Sequence, residues 1–397
     1  MHSQSAPTGK ARERIWAIDT VRGLVMVIMA LDHVRDLLHL PALTQDPADL
    51  NTTTPPIFLT RWITHLCAPT FVFLSGTSAY LSLQRRRTMG GSLAATRGFL
   101  FRRGLVLIAL EITVINFAFW TDVQFRTLLL QVIYAIGGGL IVLSLLSRLP
   151  VRWVGALGIL IVGTHDLLLL VPPITNSVGQ LIWALLFRVQ LLPSPSFTVL
   201  IAYPLTPWLG IMLVGYASGT LFEQPLTSRR KRLLLGGLAS LGLFVVLRFV
   251  NQYGDAAPWS VQRTSLFTTL SFLNVSKYPP SLLYTLLMLG IMALLLAWAD
   301  GVDTKLTQVL RVYGTVPMFY YLLHWYLVKL TMIGMVYGQG YSLVIGTLSF
   351  GRPPGAGVSL PMVYVVWLGI VALLYPLCRW YGRYKIAHPE QSWLRYL

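Results

Sequence analysis

The sequence predicts an all-α polytopic membrane bundle of about ten transmembrane helices with both termini in the cytoplasm. Three observations carry that expectation. Of its 397 residues 55% are hydrophobic and only 11% charged, with a mean hydropathy of +0.65, which excludes an ordinary soluble globular fold. Ten apolar stretches are long enough to cross about 30 Å of hydrocarbon. Finally, the cations gather on one side of those stretches. Lys10, Arg12 and Arg14 precede the first; Arg85, Arg86, Arg87, Arg97, Arg102 and Arg103 follow the second; Arg148 and Arg152 follow the fourth. Arg229, Arg230, Lys231 and Arg232 follow the sixth, Lys305 and Arg311 the eighth, and Arg379, Arg383, Lys385 and Arg395 end the tenth. These are 21 of the 31 Lys and Arg, whereas the opposite loops hold only Arg61, Arg126, Arg188, Arg248, Arg263, Lys277 and Arg352. The positive-inside rule places the rich side in the cytoplasm, and an odd span count would scramble the division. The net charge of +17 therefore reports topology and not a nucleic-acid-binding face.

Span one, 15–38, carries Asp19, Arg22, Asp32, His33, Arg35 and Asp36 inside an otherwise apolar run. Ionisable groups are costly in hydrocarbon and mark functional pathways. Arg22 and His33, eleven positions apart, fall on nearly the same helix face at an axial separation of roughly 16 Å. Asp19 at i−3 neutralises Arg22, or Arg22 presents its forked donors to phosphate oxygens at an inner vestibule, with Arg102 and Arg103 at the same surface. Positive-inside anchoring explains Arg102 and Arg103 equally well. His33, in the outer part of the span, is flanked by Asp32 and Asp36. A carboxylate that fixes the tautomer suits a general base, and Asp36 at i+3 is the better partner by geometry.

Span two, 57–83, runs inward and puts His65 about two turns below the outer surface. Span three, 101–120, holds Glu111 at mid-depth with Asn116 nearby; buried Glu needs a partner, and Arg22, His65 or His324 are available. Spans four and five follow at 127–147 and 151–171. In the outer segment 172–202 the short apolar run SVGQLIWALLFRVQ, which contains Arg188, fits an interfacial or re-entrant helix. Spans six and seven lie at 203–222 and 231–250. Lys277-Tyr278-Pro279-Pro280 opens span eight, 279–299; proline at a helix start is ordinary, while Lys277 and Tyr278 are suited to contact a polar acceptor. Span nine, 311–337, runs outward from Arg311 and brings His324 to mid-membrane. Its Met318-Phe319-Tyr320-Tyr321 run reads as packing and interfacial belt. His65 and His324 are either packing histidines that bond across helices or members of the site. Span ten, 361–384, completes one membrane domain, 15–386, between tails 1–14 and 387–397.

Residues 1–14 lack an apolar core and are not a signal peptide. Cys67 and Cys378 sit in different spans and make neither a disulfide framework nor a zinc motif, so no metal is expected. Asn51-Thr52-Thr53 and Asn274-Val275-Ser276 match the glycosylation sequon on outer loops. The longer outer segments, 39–56, 172–202, 251–278 and 338–360, suit a mouth built over a rigid scaffold. No internal repeat is visible, which weakens an inverted-repeat transporter.

The runs IDTVRGLVMVIMALDHV and THLCAPTFVFLSGTSAYL, then PWLGIMLVGYASG, FLNVSKYPPSLLYTLLMLG and GTVPMFYYLLHWYLV, resemble the bacterial branch of the heparan-alpha-glucosaminide N-acetyltransferase catalytic-domain family, within the transmembrane acyltransferases. The resemblance covers about residues 14–330. It implies acetyl-CoA as donor, a glycan amine or hydroxyl as acceptor, and an essential His matched here by His33 of Asp32-His33; His65 and Pro69 match the second motif and Lys277 to Pro280 the later one. The short stretch before span one, where the eukaryotic lysosomal member carries a large lumenal domain, points to a bacterial inner membrane. The expected activity is transfer of acetyl from cytoplasmic acetyl-CoA to a sugar-like acceptor on the outer side. His33 acts as base, with Asp32, Asp36 and His65 around it; Asp19, Arg22, Arg102 and Arg103 hold the donor, and Lys277, Tyr278 and His324 the acceptor. Direct transfer and an acetyl-histidine intermediate both stay open. The expected partners are the lipid bilayer, acyl-CoA and the acceptor, with a homo-oligomer left open. The rival reading is a proton-coupled transporter or flippase of an envelope precursor, in which the same buried groups form a proton relay.

Overall fold

A computed structural model of the chain describes residues 15–172, 174–345 and 348–396; the expected tail 1–14 with Lys10, Arg12 and Arg14, and the side chain of Arg395, lie outside the described residues. In chain order the helices are α1 (Trp16–Leu38), α2 (Pro55–Thr64), α3 (Cys67–Thr88), α4 (Leu93–Leu110), α5 (Asn116–Trp120), α6 (Val132–Leu146), α7 (Val151–Thr164) and α8 (Ser177–Leu186). They continue with α9 (Leu205–Ser218), α10 (Leu226–Val250), α11 (Ser265–Leu273), α12 (Leu282–Ala299), α13 (Lys305–Gly314), α14 (Pro317–Gly338) and α15 (Leu360–Ala387). Among the described residues seven helical runs are long and apolar enough to cross a membrane: 55–88, 151–170, 205–223, 226–250, 282–299, 317–338 and 360–387. The protein is a polytopic helical membrane bundle.

The other three expected spans are helical but depart from a plain apolar rod, each for a visible reason. α1 keeps its ionisable groups because it is the central helix, packed against α2, α3, α12, α13, α14 and α15 and buried along most of its length. Span three is α4 and α5 joined by a π-helical turn, Glu111–Ile115. Asn116 stabilises that irregularity: its Nδ2 donates to the carbonyls of Glu111 (2.6 Å) and Leu129 (2.9 Å), and its Oδ1 accepts from Leu129 N (2.7 Å). Span four begins as a strand. Residues Thr127–Leu130 form β1, which pairs parallel with β3 (Thr198–Ile201), itself antiparallel to β2 (Gln190–Pro193), and the small sheet leaves α6 only 15 residues long. α8 occupies the expected interfacial segment, capped by Asn176 Oδ1, which accepts from Gly179 N.

Two further boundaries shift. Span two breaks at His65-Leu66 between α2 and α3. Pro69 has no N–H to offer the His65 carbonyl one turn back, and the Tyr284 hydroxyl donates to it instead at 2.7 Å. Span nine starts at Pro317 rather than Arg311; Val316, held out of the α region by the following proline, separates amphipathic α13 from α14.

Packing within a bilayer favours small residues where backbones cross. A Cβ on Gly23 would overlap the Leu310 carbonyl and one on Gly314 the Asp19 carbonyl, so α1 and α13 meet at backbone distance. Gly76 and Gly215 do the same for α3 and α9. At the end opposite the arginine-rich loops, Leu40 N donates to Val358 O and Val358 N to Leu38 O. The buried Arg248 guanidinium gathers the carbonyls of Ala257, Ser271, Phe272 and Asn274. Asn274 of the second sequon is itself used there, donating to Ala48 O.

Candidate active site

His33 on α1 and His324 on α14 meet, His33 Nδ1 to His324 Nε2, at 2.6 Å. The second nitrogen of His324 fixes the tautomers. Its Nδ1 lies 3.2 Å from the Tyr320 carbonyl, which can only accept, so Nδ1 carries the proton and Nε2 receives one from His33. A neutral His33 then has its lone pair on Nε2. His324 is completely buried, whereas His33 is half-buried and lines a cavity of about 210 Å³ that also touches Asp36, Lys277, Tyr278, Gln131 and Trp325. The Trp325 ring stacks on His33 with centroids 3.8 Å apart, and Phe119 packs on Trp325 at the same spacing.

The carboxylates expected to orient His33 do something else. Asp36 pairs with Arg35, and Asp32 accepts from Arg61 at both oxygens (2.9 and 2.9 Å), from Arg35 (2.9 Å) and from Thr64 (2.8 Å), with Lys277 Nζ at 3.8 Å. Permanent cations delivered by α2 and by the segment before α12 hold these acids more strongly than a neutral imidazole would. The orienting partner of His33 is thus a second histidine. His324, expected on the acceptor, stands behind His33 and lines neither the His33 cavity nor the one at the arginine-rich end. His65 is buried, edge-on to Tyr284 at 5.6 Å, with no partner for Nδ1 among the described residues, and also lines neither.

Lys277 and Tyr278 do line the His33 cavity. His165 Nε2 donates to the Pro280 carbonyl at 2.6 Å, and Arg61 lies 5.8 Å over the Tyr278 ring; the Tyr278-Pro279 bond is cis.

A second cavity, of about 280 Å³, opens at the arginine-rich end. Arg22, Arg103 and Lys385 line it with Ser75, Ser78 and Ser82. Arg22 donates to Ser78 (3.0 Å), Asp19 (3.3 Å) and the Gly314 carbonyl (3.2 Å), so the expected Asp19 pair forms while the guanidinium still faces the cavity. Arg103 has a buried Nε with no partner among the described residues; Arg102 is exposed and lines neither cavity. The two cavities share Phe71, Val132 and Tyr321 in their walls.

Glu111 meets none of its expected partners. Its Oε1 accepts from Gln131 N at 2.7 Å, fixing the β1–α6 junction beside Val132. Sequence reasoning passed over Arg61, Gln131, Tyr321 and Trp325. A cation within the apolar run at 57–66 is the signal that could have found Arg61; nothing local distinguishes Tyr321 and Trp325 from packing aromatics. Among the described residues no group of His, Cys, Asp and Glu is placed to hold a metal ion, and Cys67 and Cys378 are buried free thiols.

Residues 14–250 match the family model described as heparan-alpha-glucosaminide N-acetyltransferase, catalytic, a segment that contains Arg22, His33 and His65 and stops before Lys277 and His324. No curated protein matches the chain.

Proposed function

The chain belongs to the heparan-alpha-glucosaminide N-acetyltransferase catalytic family and is a membrane-embedded acyltransferase, and from that premise we propose that it moves acetyl from acetyl-CoA at one membrane face to a sugar-like acceptor at the other. The observation that carries this reading is the pair of cavities meeting at Phe71, Val132 and Tyr321, with a guanidinium in one and an imidazole in the other on a single face of α1. Arg22, steadied by Asp19 and Ser78, and Arg103 and Lys385 receive the donor phosphates in the arginine-rich cavity. The thioester arm runs along α1 towards His33.

An acceptor amine or hydroxyl enters the other cavity past Lys277 and Tyr278. His33 Nε2 takes its proton as it attacks the thioester carbonyl, while His324 holds the ring in the required tautomer and stabilises the imidazolium. Asp32 acts one step back, fixing Lys277 and Arg61 at the mouth. In the bilayer this reading has ten crossings, the arginine-rich end and both termini in the cytoplasm of a bacterial inner membrane, and donor and acceptor on opposite sides.

The test is CoA release and acetylated product from purified protein in detergent given acetyl-CoA with a panel of amino sugars and sugar alcohols. Release stimulated by an acceptor is expected. Proton-coupled solute movement with intact acetyl-CoA would replace this reading with transport.

A further inference from the structure

We propose that Tyr321 and Trp325 form the oxyanion hole of the transfer, the Tyr321 Oη–H and Trp325 Nε1–H donating to the thioester carbonyl oxygen beside His33. The proposal rests on the acyltransfer reading and deepens it. Both residues lie on α14, four positions and so about one turn apart on one face. They are 4% and 2% exposed; among the described residues neither polar atom makes a hydrogen bond of full geometry, the Trp325 Nε1–H is directed towards Tyr321 Oη, and the Tyr321 O–H has no acceptor. An indole N–H can only donate, and a buried donor without an acceptor points to a missing ligand or water.

Their position selects the ligand. Tyr321 belongs to the wall shared by the two cavities, and Trp325 lines the outer one while stacking on His33. Donors at this junction face the place where an acyl group arriving from the cationic cavity first meets the base. Tyr320 and Trp208 also carry polar atoms without a partner among the described residues, but they line neither cavity and are not part of this set. α6 begins at Val132 in the same wall, so its positive dipole end adds to the field on a developing oxyanion.

The acceptor nitrogen or oxygen bonds to the carbonyl carbon as its proton passes to His33 Nε2, and the C=O π pair moves onto oxygen between the two donors. Collapse restores C=O and breaks the C–S bond; the CoA thiolate takes the proton from His33 and leaves as the thiol.

Tyr321→Phe and Trp325→Phe remove one donor each while keeping an aromatic ring against His324 or His33. Single-turnover transfer by the full chain should fall by about 10²–10³ in each, the range for one oxyanion donor, with acetyl-CoA affinity retained. Isotope-edited infrared spectra of bound ¹³C-acetyl-CoA report the contact directly. The carbonyl stretch should be lowered in the wild type relative to solution and return towards the solution value in both variants. Near wild-type rates, or slow variants that keep the wild-type carbonyl shift, would overturn the proposal and leave the two residues as packing. If Trp325→Phe does not fold, Tyr321→Phe and the wild-type spectrum decide it. A wild-type protein that cleaves acetyl-CoA and loses activity in His33→Ala, while Tyr321→Phe keeps full rate, removes only this proposal; a wild type that neither binds nor cleaves acetyl-CoA removes the acyltransfer reading as well.

Discussion

His33 takes its orientation from a residue 291 positions away, and that dependence separates two roles experimentally. Loss of the proposed base, His33→Ala, should slow the chemical step by roughly 10²–10⁴ with donor binding little changed. His324→Gln keeps an acceptor for the His33 Nδ1 proton and should retain part of the rate, whereas His324→Leu should fall towards His33→Ala; equal rates for Gln and Leu in folded protein would sink the tautomer role. Arg22→Ala should weaken CoA binding by calorimetry, with Arg22→Lys restoring only part, because a forked guanidinium is replaced by a point charge. Unchanged affinity would leave Arg22 as a strap joining α1, α3 and α13. Asp32 and Asp36 give a contrast in stability. Removing Asp32 leaves Arg61 and the buried Lys277 without their carboxylate and Arg35 with Asp36 as its remaining one, and should cost about 3–5 kcal/mol, against about 0–1 kcal/mol for Asp36, whose side chain is 40% exposed; thermal unfolding of Asp32→Ala and Asp36→Ala reads both. The sequence marked His33, Arg22 and Lys277 because each is a polar group inside or opening an apolar run. It could not pair Asp32 with Arg61 or His33 with His324, since those contacts depend on which helices become neighbours, and the local LDHVRD spacing favoured the wrong partner for the imidazole.

Elements were legible wherever apolar length alone decides, as in α10, α12 and α15. They were not where a single residue interrupts the run. Pro69 hides a helix break inside a continuous apolar stretch, and Thr127 to Leu130 reads equally as helix or strand until β3 arrives from residues 198–201 to pair with it. The α1–α13 crossing is the element contact most sensitive to change. Gly23→Ala drives a methyl into the Leu310 backbone and should destabilise the folded protein by at least the 1–3 kcal/mol typical of overpacking, whereas Gly236→Ala on α10, with open space around it, serves as a neutral control. Equal thermal stabilities of the two variants would mean that the crossing relaxes freely.

For the molecule as a whole, the division of cations between the two ends makes a prediction about sidedness. Met89 and Val261 are 74% and 81% exposed at opposite ends of the bundle, and the native thiols are buried. In intact cells an impermeant maleimide should label Val261→Cys and leave Met89→Cys untouched until the membrane is opened. The reverse pattern would invert donor and acceptor faces.

The wall of Phe71, Val132 and Tyr321 has one more consequence. A catalyst with a reactant on either side of a charged bilayer is also a hole in an insulator, and an open water column from Arg22 to His33 would short-circuit the ion gradient across it. On the proposed two-sided reading, the apolar and aromatic septum between the two cavities keeps the membrane's resistance intact while the acyl group passes it.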